Sequence, residues 1–210
     1  MKYSGLFFGL LLSAQVWAEP ITATVPAPAA VIPLNQILTS VEYFREGRQS
    51  GCGLRATGDT KKHVWLNVLI TVFVRDNGST YGVIKVVAKQ INTKDGEPLL
   101  QQGKLSYSSH GRINKAWIKP ASGKQPLIHQ NGESPHSDGY MASVDFADTL
   151  ELLIAMARED FQVGLNIKEH EADEVFAFDQ RLSQYEAKKL SSCMANLRTQ
   201  IEARKHDSSF

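Results

Sequence analysis

Histidines and carboxylates gather in one polar stretch of the sequence, at His129, Glu133, His136 and Asp138. Imidazole nitrogens and carboxylate oxygens are ligands of Zn²⁺, and one loop can present several of them together. Their spacing, H-x-x-x-E-x-x-H-x-D, differs from the H-E-x-x-H pattern, in which two histidines lie one helical turn apart. We therefore treat the four residues as candidate metal ligands, and the simpler interpretation is a polar loop that contains them by chance.

The same stretch contains the residue types of a nucleophilic triad, Ser134, His136 and Asp138. Members of such a triad converge from separate elements, whereas these three lie within five consecutive positions. The chain has no G-x-S-x-G nucleophile elbow. The sequence thus assigns no catalytic residue, and a periplasmic hydrolase or metal-dependent enzyme that uses residues 129–138 is an alternative function.

A second group of ligand types forms an acidic turn at His170, Glu171, Asp173 and Glu174. These side chains could bind a hard cation such as Ca²⁺. Their order fits no EF-hand loop, and the glycine that such a loop needs is missing. We interpret the segment as a solvated connection between two strands.

Aromatic and basic side chains suggest two further surfaces. Trp65, Tyr107 and Trp117 could form a platform for a carbohydrate or a peptide, but aromatic residues on strands more often fill or cover a core. Four lysines could attract an anionic partner, although scattered lysines are typical of an ordinary exposed surface. These lysines are Lys85, Lys89, Lys104 and Lys115.

The two cysteines, Cys52 and Cys193, are far apart in sequence. In an oxidising compartment an isolated pair most simply forms one disulfide, whereas redox pairs usually have the spacing C-x-x-C. In the chain-entropy model, closing a loop of this length stabilises the fold by roughly 5 kcal/mol. The pair would join the first strand of the domain to its last helix.

The first 18 residues have the pattern of a secretory signal peptide. Lys2 precedes an apolar run, Leu6–Leu12. Val16 and Ala18 then occupy the −3 and −1 positions of a predicted cleavage after Ala18, where small residues are typical. The run is too short to span a bilayer. We therefore expect an exported protein, periplasmic or secreted, in a compartment where disulfides form.

Charge and composition restrict the classes of partner. Without Lys2 the chain has 22 basic and 22 acidic residues, whereas a nucleic-acid binder usually has a strong basic excess. No later segment is apolar for long enough to cross a membrane. Residues 19–33 contain four prolines, which predict a stiff Pro/Ala-rich leader that acts as a tail or as a docking peptide.

The first half of the domain has one helix signal followed by strand signals. Ile37, Val41 and Phe44 recur at i, i+4 and i+7 and predict a helix over 35–44, with a strand as the alternative. Residues 63–75 and 81–91 predict two strands joined by a hairpin turn at Asn77-Gly78. Strands over 99–109 and 113–119 would continue an antiparallel meander, and 120–139 would be a long surface loop.

The last third predicts two helices and two strands. Asp145 can cap a helix, and Ser183 with Glu186 forms a capping box for a second, C-terminal helix. Strands are predicted over 161–167 and 175–178. The first helix has an apolar face at Phe146, Leu150, Leu153, Ile154 and Ala157, and the second has a stripe at Ala187, Leu190, Met194, Leu197 and Ile201.

These elements predict an α+β fold with a mainly antiparallel sheet. About six to eight strands are expected, with a sandwich-like arrangement as one way of covering both faces of the 63–75 strand. The C-terminal helix would pack on the sheet, together with one or two further helices. We expect a single globular domain over 34–204 and a disordered tail over 205–210.

The expected function is binding rather than catalysis. Export, one disulfide and balanced charge predict a protein-binding or accessory subunit of a bacterial envelope or secretion assembly, without a cofactor. Open strand edges would suit a protein partner in the cell envelope. A carbohydrate- or peptide-binding module is another alternative, no nucleic acid or membrane span is expected, and the oligomeric state is left open.

Overall fold

The computed structural model describes residues 31–123, 128–133, 138–170 and 172–207, with the side chains of 128–133 and 205–207 outside the described part. The predicted signal peptide, the leader up to residue 30 and the end of the tail lie outside these ranges. Strands and helices follow one another as β1 (Val31–Pro33), β2 (Asn35–Arg45), β3 (Arg48–Asp59), β4 (Val64–Val74), β5 (Thr80–Ile91), β6 (Thr93–Lys94), β7 (Glu97–Pro98), β8 (Leu100–Gln101), β9 (Lys104–Leu105), β10 (Tyr107–Ser109), β11 (Ile113–Pro120), β12 (Ile128–Glu133), β13 (Gly139–Val144), α1 (Phe146–Arg158), β14 (Phe161–Ile167), β15 (Glu174–Phe178) and α2 (Gln184–Asp207).

The predicted α+β class is confirmed, with antiparallel sheet as its main component. A seven-stranded sheet has the order β12-β13-β5-β4-β3-β2, and β10 also pairs with β5. A four-stranded sheet has the order β1-β15-β14-β11, in which β1 and β15 run parallel. The last three residues of the predicted leader therefore belong to the second sheet.

Strand β4 is at the centre of the large sheet, as its alternating sequence predicts. Its even-numbered residues from Val64 to Val74 are all buried, while Trp65, Asn67 and Phe73 are half-buried on the other face. The Asn77-Gly78 turn follows, with Gly78 at φ +77°, a conformation that glycine adopts without strain. The inner face of this sheet is thus the main wall of the core.

The helix predicted over 35–44 is wrong, because this segment is strand β2. It pairs with β3 along its whole length. Ile37 and Phe44, two of the three residues on the predicted apolar face, are 62% exposed, whereas Leu38 and Ser40 point inward. A buried serine on the inner face interrupts the apolar alternation, and this is why a helical spacing fits the sequence better than the period of two.

Two longer-range predictions are also corrected. Strands β2 to β5 form a meander, but β11 does not continue it, because β11 pairs with β14 in the four-stranded sheet. The stretch 120–139 is not one long loop, since β12 occupies 128–133 and pairs with β13. Strands β11 and β14 are far apart in sequence, so local patterns do not reveal their pairing, whereas β12 and β13 are neighbours and form a hairpin.

Both helices lie on the same face of the seven-stranded sheet. Cys52, Val72 and Gly82 are cross-strand neighbours on β3, β4 and β5 and so face the same side. Cys193 of α2 is bonded to Cys52 through a disulfide with an S–S distance of 2.05 Å. Thr149 of α1 lies so close to Gly82 that a Cβ there would be 1.7 Å from its Oγ1. The two helices therefore cover neighbouring parts of one surface.

The predicted caps are present, and one of them differs in detail. The side chain of Asp145 accepts hydrogen bonds from the N–H groups of Ala147 and Asp148 at the start of α1. At the start of α2 the hydroxyl of Ser183 accepts from the N–H of Glu186, at 3.2 Å. The carboxylate of Glu186 bonds to β2 rather than back to the cap, and α2 continues to Asp207, into the predicted tail.

Candidate functional site

Three of the four candidate metal ligands of the sequence analysis fall within the described residues. His129 and Glu133 belong to β12, whose side chains are outside the described part, and His136 is outside it altogether. Asp138 is buried, and its carboxylate lies 3.8 Å from the Nζ of Lys89. The described contact of Asp138 is thus an ion pair with β5, and a metal site at these four residues stays a prediction.

The three aromatic residues of the suggested platform belong to two different sheets. Trp65 and Tyr107 lie together, with ring centroids 5.5 Å apart. Trp117 is on β11 of the four-stranded sheet, where its indole covers Gly164. Of the four lysines, Lys85 and Lys89 are on β5 of the large sheet, and the other two are on β9 and β11.

A concave groove lies between α1 and α2 and is called here the interhelix groove. Its volume is about 610 Å³. Eleven apolar side chains line it: Phe146, Leu150, Leu153, Ile154 and Ala157 from α1, Leu182 before α2, and Ala187, Leu190, Met194, Leu197 and Ile201 from α2. An open, elongated apolar groove of this kind is typical of a site that binds an apolar ligand or helix.

The helices that form the groove run in opposite directions. An ion pair of 3.2 Å joins Asp160, just after α1, to Arg181, just before α2. At the other end of the groove, Thr149 of α1 and Arg204 of α2 both lie against the β4–β5 hairpin. The groove is therefore an extended trough between two antiparallel helices, with the end of one helix next to the start of the other.

The apolar stripes predicted for the two helices line the groove. In α1 the buried residues are Thr149, Leu152, Leu153 and Met156, whereas four of the five residues on the predicted inward face are half-buried or exposed. Ile154 is 46% exposed. The predicted core face of α1 is thus wrong by part of a turn: Thr149, Leu152 and Met156 are buried beside Leu153, whereas Phe146 and Ala157 pack only partly against the core.

Helix α2 shows the same pattern more strongly. Cys193 and Leu197 are buried in its described part, whereas Leu190, Met194 and Ile201 are half-buried and Ala187 is exposed. An apolar stripe that packed on the sheet would be buried along its length. Most of the stripe of α2 therefore faces the open groove.

Polar and covalent contacts hold α2 in this position. Near its start, the carboxylate of Glu186 accepts hydrogen bonds from the hydroxyl and the backbone N–H of Ser40 on β2. The hydroxyl and then the N–H hold the pKa of Glu186 below its ordinary value. In the middle of the helix is the disulfide of Cys193, and near its end Arg204 donates to the backbone carbonyl of Arg75.

Charge around the groove has one sign among the described lining residues. Arg158 at the end of α1 and Arg198 on α2 are the charged side chains of the lining. Arg198 also bonds Glu202, one turn further along α2, at 2.8 Å. The lining therefore combines apolar side chains with two guanidinium groups, of which that of Arg198 is already paired with a carboxylate.

The sequence predicted the stripes that line the groove but not the groove itself. Which stripe of α1 packs on the sheet depends on the contact of Thr149 with Gly82, two residues far apart in sequence. The link from Glu186 to Ser40 was hidden by the capping-box pattern, which assigned the carboxylate to the cap. Ser40, a polar residue at an inward position of a strand, is the one available signal.

Comparisons with known proteins add no assignment. No protein-family model matches the chain, and neither a curated protein nor a solved structure is significantly similar to it. Among the described residues, neither helix is long and apolar enough to span a membrane. The disulfide is consistent with a protein outside the cytoplasm.

Proposed function

We propose that this chain is an exported binding protein that holds an amphipathic α-helix of another envelope protein in the interhelix groove. The observation that carries the proposal is the position of the two apolar stripes. Both helices leave most of these stripes half-open beside the core: Leu153 and Leu197 are buried in it, whereas Leu190, Met194 and Ile201 are only partly buried against it. Apolar surface left exposed in this way is typical of a protein-binding site.

The shape of the groove suits a helix. Ala187 and Ile201, at the two ends of its α2 wall, are 14 residues apart, a rise of about 21 Å or roughly four helical turns. A third helix between α1 and α2 would present residues at i, i+3, i+4 and i+7 to both walls. It would complete a helical layer on the sheet, as neighbouring helices pack about 8–10 Å apart.

The chemistry of the walls further defines the partner helix. Met194 has a flexible side chain that can adapt to different apolar groups. Arg158 is placed to pair with Asp or Glu beside the apolar face of the partner, and Arg198 would do so by exchanging its exposed pairing with Glu202. The proposed partner segment is thus an amphipathic helix with aliphatic residues on one face and carboxylates at its edge.

Site-specific photo-crosslinking tests this proposal in the cells that make the protein. Ile154→p-benzoylphenylalanine places the reactive group in the groove, and Tyr185→p-benzoylphenylalanine places it on an α2 residue that is 73% exposed and outside the lining. We expect position 154 to give one crosslinked peptide whose apolar residues recur at i, i+3 or i+4 and i+7. Crosslinks to lipid chains or to a second copy, or the same products from both positions, would contradict the proposal.

Binding of the recovered peptide provides the second half of the test. A synthetic copy should bind the purified protein, and Ile154→Asp should weaken it at least about tenfold, or 1.4 kcal/mol. Tyr185→Asp, which changes an exposed apolar residue elsewhere on α2, should leave the affinity unchanged. Equal affinities for the two variants would show that the groove is not the binding site.

A further inference from the structure

Two imidazoles and one carboxylate meet on loops that are remote from the interhelix groove. His110, between β10 and β11, lies with its Nε2 2.8 Å from one oxygen of Glu174, the first residue of β15. His170, between β14 and β15, lies with its Nδ1 3.1 Å from the other oxygen. The three groups can offer ligand atoms that all lie within 4.8 Å of one another.

Backbone contacts hold the two loops together. The N–H of Lys168 donates to the carbonyl of Arg112 at 2.9 Å, and the N–H of Arg112 donates to the carboxylate of Glu169 at 2.9 Å. Gly111 lies against Ile167 so closely that a Cβ would be 2.5 Å from its Cγ2, and its φ of +130° also favours glycine. The histidines, 60 residues apart in sequence, are therefore positioned by the fold and not by a flexible loop.

The cluster is partly closed and open on one side. The side chain of His110 is 9% exposed and that of Glu174 is 23% exposed, whereas His170 is 35% exposed. The imidazole rings meet edge-on, with centroids 5.4 Å apart. His170 is therefore the most exposed of the three groups, and His110 is the most buried.

The ligand set and its spacing fit a borderline divalent cation. Zn²⁺ binds imidazole nitrogens at about 2.0–2.1 Å and carboxylate oxygens at about 2.0–2.2 Å, so neighbouring ligand atoms of a tetrahedral site lie about 3.3 Å apart. The imidazoles lie 2.8 and 3.1 Å from different oxygens of Glu174, and one ligand atom from each of the three groups lies within 4.8 Å of the others, so small side-chain shifts would bring the set to this spacing. Two nitrogens and one oxygen disfavour Ca²⁺, which prefers oxygen ligands alone.

We propose that His110, His170 and Glu174 bind one Zn²⁺ ion through Nε2, Nδ1 and the carboxylate, with a further position open to water. The site shares no residue with the interhelix groove, so it does not rest on the proposed binding of a helix. Ion binding would join the β10–β11 loop to the β14–β15 loop and stabilise the folded state by mass action.

Calorimetric titration of the untagged, chelator-treated full chain with Zn²⁺ tests the site. We expect one ion to be bound, and Ca²⁺ to cause no heat change. His170→Gln should lower the affinity for Zn²⁺ by roughly 10- to 100-fold or more, because loss of an outer-shell partner alone typically lowers it by that factor. Glu174→Gln should act in the same direction, and X-ray absorption should show nitrogen and oxygen ligands at about 2.0–2.2 Å.

Two control variants separate this site from other histidines. His63→Asn removes an imidazole at φ +61°, a conformation that asparagine tolerates. The double variant His129→Gln/His136→Gln removes the other candidate ligands, and both controls should bind like the wild type. The melting temperature of each variant in chelator shows whether it folds. The proposal is wrong if the wild type binds no stoichiometric Zn²⁺, if binding survives His170→Gln, or if it is lost in the double variant instead.

Discussion

Removal of the disulfide should detach α2 while most of the sheet stays folded. Cys52→Ala/Cys193→Ala removes the bond and leaves two small apolar side chains in its place. Because α2 buries few side chains, its docking depends on the disulfide and on polar contacts at its two ends. Local opening of weakly packed elements is a common property of folded proteins.

The loss of stability depends on how many residues the disulfide constrains, and this number differs between global unfolding and local detachment of α2. For global unfolding, the disulfide closes the loop from Cys52 to Cys193, and its loss lowers the free energy of unfolding by about 5 kcal/mol in the chain-entropy model. If the sheet stays folded, the segment released runs from Phe178 at the end of β15 to Cys193. A loop of about 15 residues corresponds to about 3 kcal/mol, or roughly a 100-fold change in an equilibrium constant.

Amide hydrogen exchange measures both quantities in one experiment. In the double variant, amides of α2 should exchange about 100-fold faster than in the wild type, while the most protected amides of β4 report the larger loss of global stability. Reduction of the wild-type protein should reproduce the result. If amides of α2 and β4 come to exchange with the same free energy, α2 is not a separate unit and the account of how it is held is wrong.

Three further changes test individual contacts. Glu186→Gln should destabilise the protein at pH 7. Because the pKa of this carboxyl is lowered in the folded state, its contribution to stability is complete above the ordinary pKa of about 4.3 and is lost as the pH falls further. Denaturation curves of the variant and the wild type should therefore converge in acid. Gly82→Ala should cost at least the 1–3 kcal/mol that is typical of overpacking, since its Cβ would be 1.7 Å from Thr149 Oγ1, and Thr149→Ala should restore part of the loss in urea denaturation. Leu152→Ala removes a buried leucine side chain and should lower the free energy of unfolding by about 2–5 kcal/mol. Ile154→Ala, at an exposed position, should change it by no more than about 1 kcal/mol in the same assay. Equal losses would show that Ile154 belongs to the core.

Local patterns predicted the elements whose sequence and packing agree. Strand β4, its Asn77-Gly78 turn and both caps follow from period, turn chemistry and hydrogen bonding, and the structure has all of them. The prediction for the segment of β2 was wrong because Ser40, which points inward and bonds to Glu186, interrupts the apolar alternation. A polar residue that serves a distant partner gives the wrong period locally.

Neither candidate site could be assembled from the sequence, for different reasons. The groove depends on the rotation of α1, which has apolar residues on two adjoining stripes, and Gly82 decides which stripe is buried. The histidine cluster has halves in two segments that are far apart in sequence, and only one of them, residues 170–174, stood out in the sequence, where it was interpreted as a solvated connection. Non-local pairing of β11 with β14 brings those halves together.

The way in which α2 is attached links the fold to the proposed function. A helix that is held by its apolar stripe must bury that stripe and has nothing left for a partner. Here Glu186, Cys193 and Arg204 fix the start, the middle and the end of α2 through contacts that do not use the stripe. Apart from Leu197, which is buried in the core, the stripe can therefore stay half-open without loss of the helix, and a partner helix would gain a preformed apolar wall at little cost in ordering.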